Sequence, residues 1–159
     1  MQVEILCVGK LKEKYLKEAC DEYKKRLSRF CSLTVTEFKD EAVPEQASQA
    51  QVEQAMEREG ERILSKISDR DYVVSLCVEG KSLSSEAFAK ELEAVFQKGI
   101  GRLVLIIGGS CGLSPAVKKR SNLRLSFSAM TFPHQLMRVI LLEQLYRAYK
   151  INANESYHK

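Results

Sequence analysis

Apolar and polar residues alternate from Gln2 to Val8, with the β-branched Val3, Ile5 and Val8 among them, and this two-residue period predicts a strand ending at Gly9. The period then changes. Over residues 12–30, Tyr15, Leu16, Ala19, Tyr23 and Leu27 recur at spacings of three and four, which predicts a helix with one buried stripe. Residues 33–38 return to a strand. Residues 39–47, with Pro44 inside them, predict a loop, and 49–67 a helix through Val52, Met56, Ile63 and Ile67. A third strand follows over 72–78, closed by Glu79-Gly80. Ser84 or Ser85 is placed to cap the next helix, because a serine oxygen accepts from the free amides of a first turn; residues 87–96 supply its apolar face, and Gly99 and Gly101 stop it. The unbroken apolar run 103–107 suits a central strand covered on both faces. A short helix over 115–120, a short strand over 123–127 and a long helix from Pro133 to about Ile151 complete the chain.

Five strands alternating with helices predict an α/β sandwich on a mostly parallel sheet. A length of 159 residues suits one domain spanning 1–159. The last helix carries a second signal: ten of its fourteen positions from Leu136 to Tyr149 are apolar. A surface helix needs one apolar stripe, so the excess predicts self-association into a homodimer, with Leu142 and Leu145 on the side that meets the partner.

The longest apolar runs fall far short of the roughly 20 residues that a membrane span requires. No basic flank and cleavage site mark the start of the chain, so the expected location is the cytoplasm. Five cysteines form no Cys-x-x-Cys pair, and there are two histidines, His134 and His158. The expectation is free thiols and no metal. A net charge of +4 attracts polyanions only weakly, but its distribution is uneven. Lys10, Lys12, Lys14, Lys17, Lys24, Lys25, Arg26 and Arg29 crowd the first thirty residues, and Lys118, Lys119, Arg120 and Arg124 form a second group. Either group alone reads as a solvated helix face; together they favour a nucleic-acid partner.

Two glycine-containing loops invite nucleotide-binding readings. Gly80-Lys81-Ser82 has the end of a Walker loop, but Ser75 stands where that pattern needs glycine. Gly108-Gly109-Ser110-Cys111-Gly112 has no register giving Gly-x-Gly-x-x-Gly. What remains is that strands three and four end in loops on one carboxyl edge, where open α/β sheets bind ligands. At Gly108 and Gly109 a side chain is expected to intrude on ligand space. A third loop, 127–133, combines small residues with two aromatics and a methionine. It suits either a binding loop whose backbone meets an adenine edge or a hydrophobic staple at the helix entrance.

The stretches ILCVGKLKEKY, LIIGGSCGLS, LSFSAMTFPHQLMRVILLEQLYRAYKI and the closing YHK resemble the ribosomal RNA large subunit methyltransferase H family of SPOUT-class enzymes, along the whole chain. The resemblance implies a trefoil-knotted α/β fold and a homodimer. It also implies transfer of a methyl group from S-adenosylmethionine, leaving S-adenosylhomocysteine, to N3 of a pseudouridine in 23S ribosomal RNA on the ribosome. It places cofactor contacts on Leu76, on Gly108 and Gly109, and on Phe127, Ser128, Ala129, Met130, Thr131 and Phe132. Cys111 departs from the asparagine or small polar residue that the family often carries there. In the tail, Tyr157 and His158 are candidates to orient the base or take its proton, and His134, Arg138 and Lys159 to contact RNA. The competing class is a non-catalytic RNA-binding module or ribosome assembly factor, which would bind no methyl donor.

Overall fold

The computed structural model describes residues 1–157. The elements follow in the order β1 (Gln2–Val8), α1 (Lys14–Leu27), β2 (Ser32–Phe38), α2 (Gln49–Leu64), β3 (Tyr72–Ser82), α3 (Ser85–Gln97), β4 (Arg102–Ile107), α4 (Pro115–Arg120), β5 (Leu123–Ser126) and α5 (His134–Asn152). The strands form a single sheet in the order β2-β1-β4-β3-β5, and every pairing is parallel.

Alternation along the strands divides the core into two layers. Val3, Ile5, Cys7, Leu103, Leu105 and Ile107 face α1, α3 and α5, while Leu6, Val8, Val104 and Ile106 face Ile63 of α2 and Val117 of α4. β4 is therefore apolar on both faces because a helical layer covers each. Helix starts are fixed locally. Ser48 and Gln51 form a capping box, and Ser84 and Ser114 accept from the amides of Ala87 and Val117 at 3.1 and 3.3 Å.

Two elements differ from their predicted form. β3 does not close at Glu79-Gly80; it runs on to Ser82 and pairs a second time with β5. Leu76 and Lys81 both pair with Leu125, so residues 77–80 bulge out between them. Glycine is required at 80, where a Cβ would come within 2.8 Å of the backbone of Arg124 and Leu125.

The second difference concerns α5, which packs between α1 and α3 over the sheet. Its apolar excess is largely absorbed inside one chain: Leu141, Leu142 and Leu145 are fully buried there. Leu142 and Leu145, expected to meet a second copy, are core residues. What α5 leaves toward solvent is Leu136, 39% exposed, with Ile140 one turn further on and half-buried.

Candidate functional site

The carboxyl ends of β3, β4 and β5 converge on a cavity of about 230 Å³. Each strand brings it a different wall. β4 delivers Ile107, Gly108 and Gly109, after which the chain folds back in a tight turn: the Gly112 amide donates to the Gly109 carbonyl at 3.0 Å, and Gly112 has φ of +82°. β3 contributes Leu76 and the bulge residues Cys77, Val78 and Glu79. The loop after β5 contributes Phe127, Ser128, Met130, Thr131 and Phe132, and α5 closes the cavity with His134 and Met137. The β5–α5 loop braces itself, since Ser126 Oγ donates to the Ser128 carbonyl and the Met130 amide donates to Ser128 Oγ at 2.9 Å.

Leu76, Gly108, Gly109, Phe127, Ser128, Met130, Thr131 and Phe132 thus lie around one space, although the chain supplies them from three separate stretches. Ala129 is exposed and does not line it. The reason for the glycines differs from the sequence expectation. A Cβ at Gly108 would press on the Leu113 side chain at 3.0 Å, and one at Gly109 would lie 2.9 Å from Val8 Cγ1 and 3.3 Å from Glu59 Oε2. Both positions are limited by the protein's own packing, not by ligand space.

His134 stands at the cavity wall against Gly9, whose φ of +93° ends β1 and where a Cβ would lie 3.0 Å from His134 Nε2. Burial and, secondarily, the Arg138 charge push the His134 pKa down, so the imidazole is held neutral near pH 7 and is able to accept a proton. Arg138 is not an exposed RNA contact. It is 2% exposed, donating to Glu37 Oε2 at 2.6 Å and to the Gly9 carbonyl at 3.1 Å, and so ties α5 to the ends of β1 and β2.

Tyr157 lies elsewhere. Its hydroxyl donates to Glu143 Oε1 at 3.1 Å, its ring meets Tyr146 edge-on at 5.0 Å, and the Arg147 guanidinium covers it at 4.7 Å. Burial, followed by the Glu143 charge, pushes its phenol up to about 12. Among the described residues the α5 part of the cavity lining ends at Met137, and Glu143, which the Tyr157 hydroxyl bonds, stands six residues on, about 9 Å along the helix. His158 and Lys159 lie outside the described residues.

Sequence reasoning missed Cys77, Val78, Glu79, Ile107, Gly112, Leu113, Lys118 and Met137 as lining residues. The Glu79-Gly80 pair looks like a turn, and only the pairing of the flanking Leu76 and Lys81 with β5, more than forty residues away, reveals the bulge. Within the second basic group, Arg120 donates to the backbone carbonyls of Ser68 and Asp71, Lys118 bonds Glu79 at the cavity rim, and Lys119 and Arg124 face solvent. All five cysteines are free thiols; Cys77 lines the cavity, and Cys7, Cys20 and Cys31 are buried. A broader, open depression of about 1560 Å³ lies at the opposite, amino edge of the sheet, around Gln2, Ser32 and Arg102. Open parallel sheets bind ligands at the carboxyl edge, and the smaller, more enclosed cavity is the one on that edge.

Residues 1–158 match the family described as Predicted SPOUT methyltransferase. Proteins named ribosomal RNA large subunit methyltransferase H from Leuconostoc mesenteroides and Bifidobacterium animalis are each 55% identical over 159 residues, covering 100% of both chains. A Streptococcus thermophilus protein of that name is 54% identical over the same span. Among solved structures, a methylase family protein from Haemophilus influenzae superposes with a TM-score of 0.55 at 12% identity, over 99% of this chain and 70% of that one. A Legionella pneumophila methyltransferase, solved in complex with the cofactor SAM, gives 0.50 at 10% identity, over 93% and 66%. At these identities the likeness is one of fold. No helix among the described residues is long and apolar enough to cross a membrane.

Proposed function

This chain belongs to the SPOUT methyltransferase family, and from that premise we propose that it transfers a methyl group from S-adenosylmethionine to a base of large-subunit ribosomal RNA in the cytoplasm. The observation that carries the reading is the convergence of the β3, β4 and β5 loops on one cavity at the carboxyl edge. Full-length identity to relatives named for that activity supplies the substrate class. Within it, the specific assignment is N3 of a pseudouridine in 23S ribosomal RNA.

The lining suits the proposed methyl donor. Leu76, Ile107, Phe127 and Phe132 offer an apolar slot for an adenine ring, and the backbone of loop 127–132 offers amides and carbonyls to its edge. When bound, S-adenosylmethionine supplies an electrophilic methyl on a sulfonium. The protein's part is to hold the acceptor nitrogen in line with that methyl and to exclude water. The N3–H proton must also depart, and His134, neutral and at the cavity wall, is placed to take it.

At about 230 Å³ the cavity is smaller than the roughly 300–1,000 Å³ usual for sites of this kind, so a nucleoside-bearing ligand would project beyond it. A second copy docked on the Leu136 and Ile140 side of α5 would cover that projection. We assign the functional unit as a homodimer on this ground, with the tail of one copy reaching the cavity of the other. Tritiated methyl transfer tests the function directly. The purified protein should label 23S RNA in ribosomes from a strain lacking it, at a single nucleotide, and should leave RNA from the parent strain unlabelled. Saturable RNA binding without any label, and without heat on titration with S-adenosylmethionine, would identify a non-catalytic binding module instead.

A further inference from the structure

Behind the Gly108-Gly109 turn stands a buried carboxylate for which the reaction described above has no use. Glu59, on α2, is 3% exposed, and its Oε2 is buried without a hydrogen-bond partner. A Cβ on Gly109 would lie 3.3 Å from that oxygen, and Gly109 lines the cavity. The carboxylate therefore sits directly behind one wall. The charged groups acting on it are Arg62 of the same helix and Asp40 and Glu41 of the loop after β2. Arg62 is itself bonded to Glu41 at 2.9 Å, so its charge is shared. An acidic group kept from water with one oxygen unpaired is costly, and the cost falls when a cation arrives nearby.

We infer that Glu59 is a specificity residue for the methyl donor, its carboxylate acting through the Gly109 wall to favour the cationic sulfonium of S-adenosylmethionine over the neutral thioether of S-adenosylhomocysteine. The inference rests on the assignment of this cavity as the methyl-donor site. Transfer breaks the sulfur–methyl bond, forms a carbon–nitrogen bond on the base and releases the N3 proton. The sulfur keeps the electron pair and becomes neutral. Donor and product thus differ by one methyl in shape and by one unit in charge. Apolar walls such as Leu76, Ile107 and Phe127 have little grip on that difference. A fixed negative charge in surroundings of low polarity has a strong one. Glu79, the acidic residue in the lining itself, is largely exposed and bonded to Lys118, which leaves it a weak source of selection.

The test compares dissociation constants of three ligands by calorimetry: S-adenosylmethionine, S-adenosylhomocysteine, and sinefungin, which carries an amine in place of the sulfonium. Glu59→Gln should weaken S-adenosylmethionine and sinefungin about tenfold, as loss of one charge interaction would do, while S-adenosylhomocysteine changes less than about twofold. Equal weakening of all three ligands, or no weakening of any, overturns the inference. A second arm needs no change at 59. Burial raises the Glu59 pKa, so protonation should erase the donor preference as pH is lowered from neutrality to the ordinary carboxylate range. This arm is run in a His134→Gln background, so that a protonated imidazole does not add its own charge. A ratio of donor to product affinity that stays constant over that range overturns the inference as well. If the wild-type protein binds none of the three ligands, it is the donor-site assignment that fails.

Discussion

Gly109 shows how much a single hydrogen atom decides. Because no side chain projects there, Val8 at the end of β1 and Glu59 on α2 both close on the end of β4, and the turn at 109–112 is held where it borders the cavity. Gly109→Val would drive two branches into Val8, which is 1% exposed, and into the Glu59 carboxylate. Overpacking of this kind costs about 1–3 kcal/mol, so urea denaturation should show a lowered midpoint together with weakened donor affinity. Weakened affinity with wild-type stability would return the glycine to the role first expected of it, as room for a ligand. The sequence thus marks the right residue for a different reason, because the atoms that restrict it come from residues fifty and a hundred positions away. Arg138 is a parallel case. An arginine among apolar neighbours on a helix suggests an RNA contact until Glu37 and the Gly9 carbonyl are seen to occupy it.

At the scale of elements, local periodicity carries most of the architecture: the strand and helix order, the two-sided burial of β4 and the serine caps all follow from residues close in sequence. Non-local pairing is where it fails. β3 passes through an apparent turn at Glu79-Gly80 because β5 lies alongside to accept it, and α5 is more apolar than a surface helix because α1 and α3 flank it within the same chain. That placement separates two substitutions on one helix. Leu142→Glu puts a carboxylate at a fully buried position with no partner and should cost several kcal/mol, seen as loss of the cooperative thermal transition. Leu136→Glu, on the outward side, should leave the far-ultraviolet circular dichroism and cooperative unfolding intact while shifting sedimentation from dimer to monomer. A Leu136→Glu protein that sediments like wild type would remove this side of α5 from the proposed interface.

At the scale of the whole molecule, the proposed donor cavity lies at the N-terminal end of α5, and the C-terminal segment folds back onto the middle of that helix. The cavity is closed by His134 and Met137 in the first turn, whereas Tyr157 is held against Tyr146, Glu143 and Arg147. Within one chain, Tyr157 thus lies outside the cavity lining, and its pKa, pushed up to about 12, keeps the phenol protonated near pH 7 as a hydrogen-bond donor. An antiparallel pairing of two α5 helices about a two-fold axis would set the C-terminal half of one beside the N-terminal half of the other, which brings each tail to the partner's cavity. Deleting residues 157–159 should therefore spare donor binding and dimerisation yet reduce methyl transfer at least about a hundredfold, the scale typical of losing a proton-transfer or orienting group. A mixed dimer then reports whose tail serves which cavity. One subunit lacks residues 157–159, and the other carries Thr131→Arg, which crowds the cavity from an exposed position without entering the core. If the tail acts in trans, the intact cavity of the first subunit is completed by the tail of the second, and the mixture should regain about one working site per heterodimer in the tritium assay. If it acts in cis, each subunit lacks something its own cavity needs, and the mixture should stay as inactive as either parent.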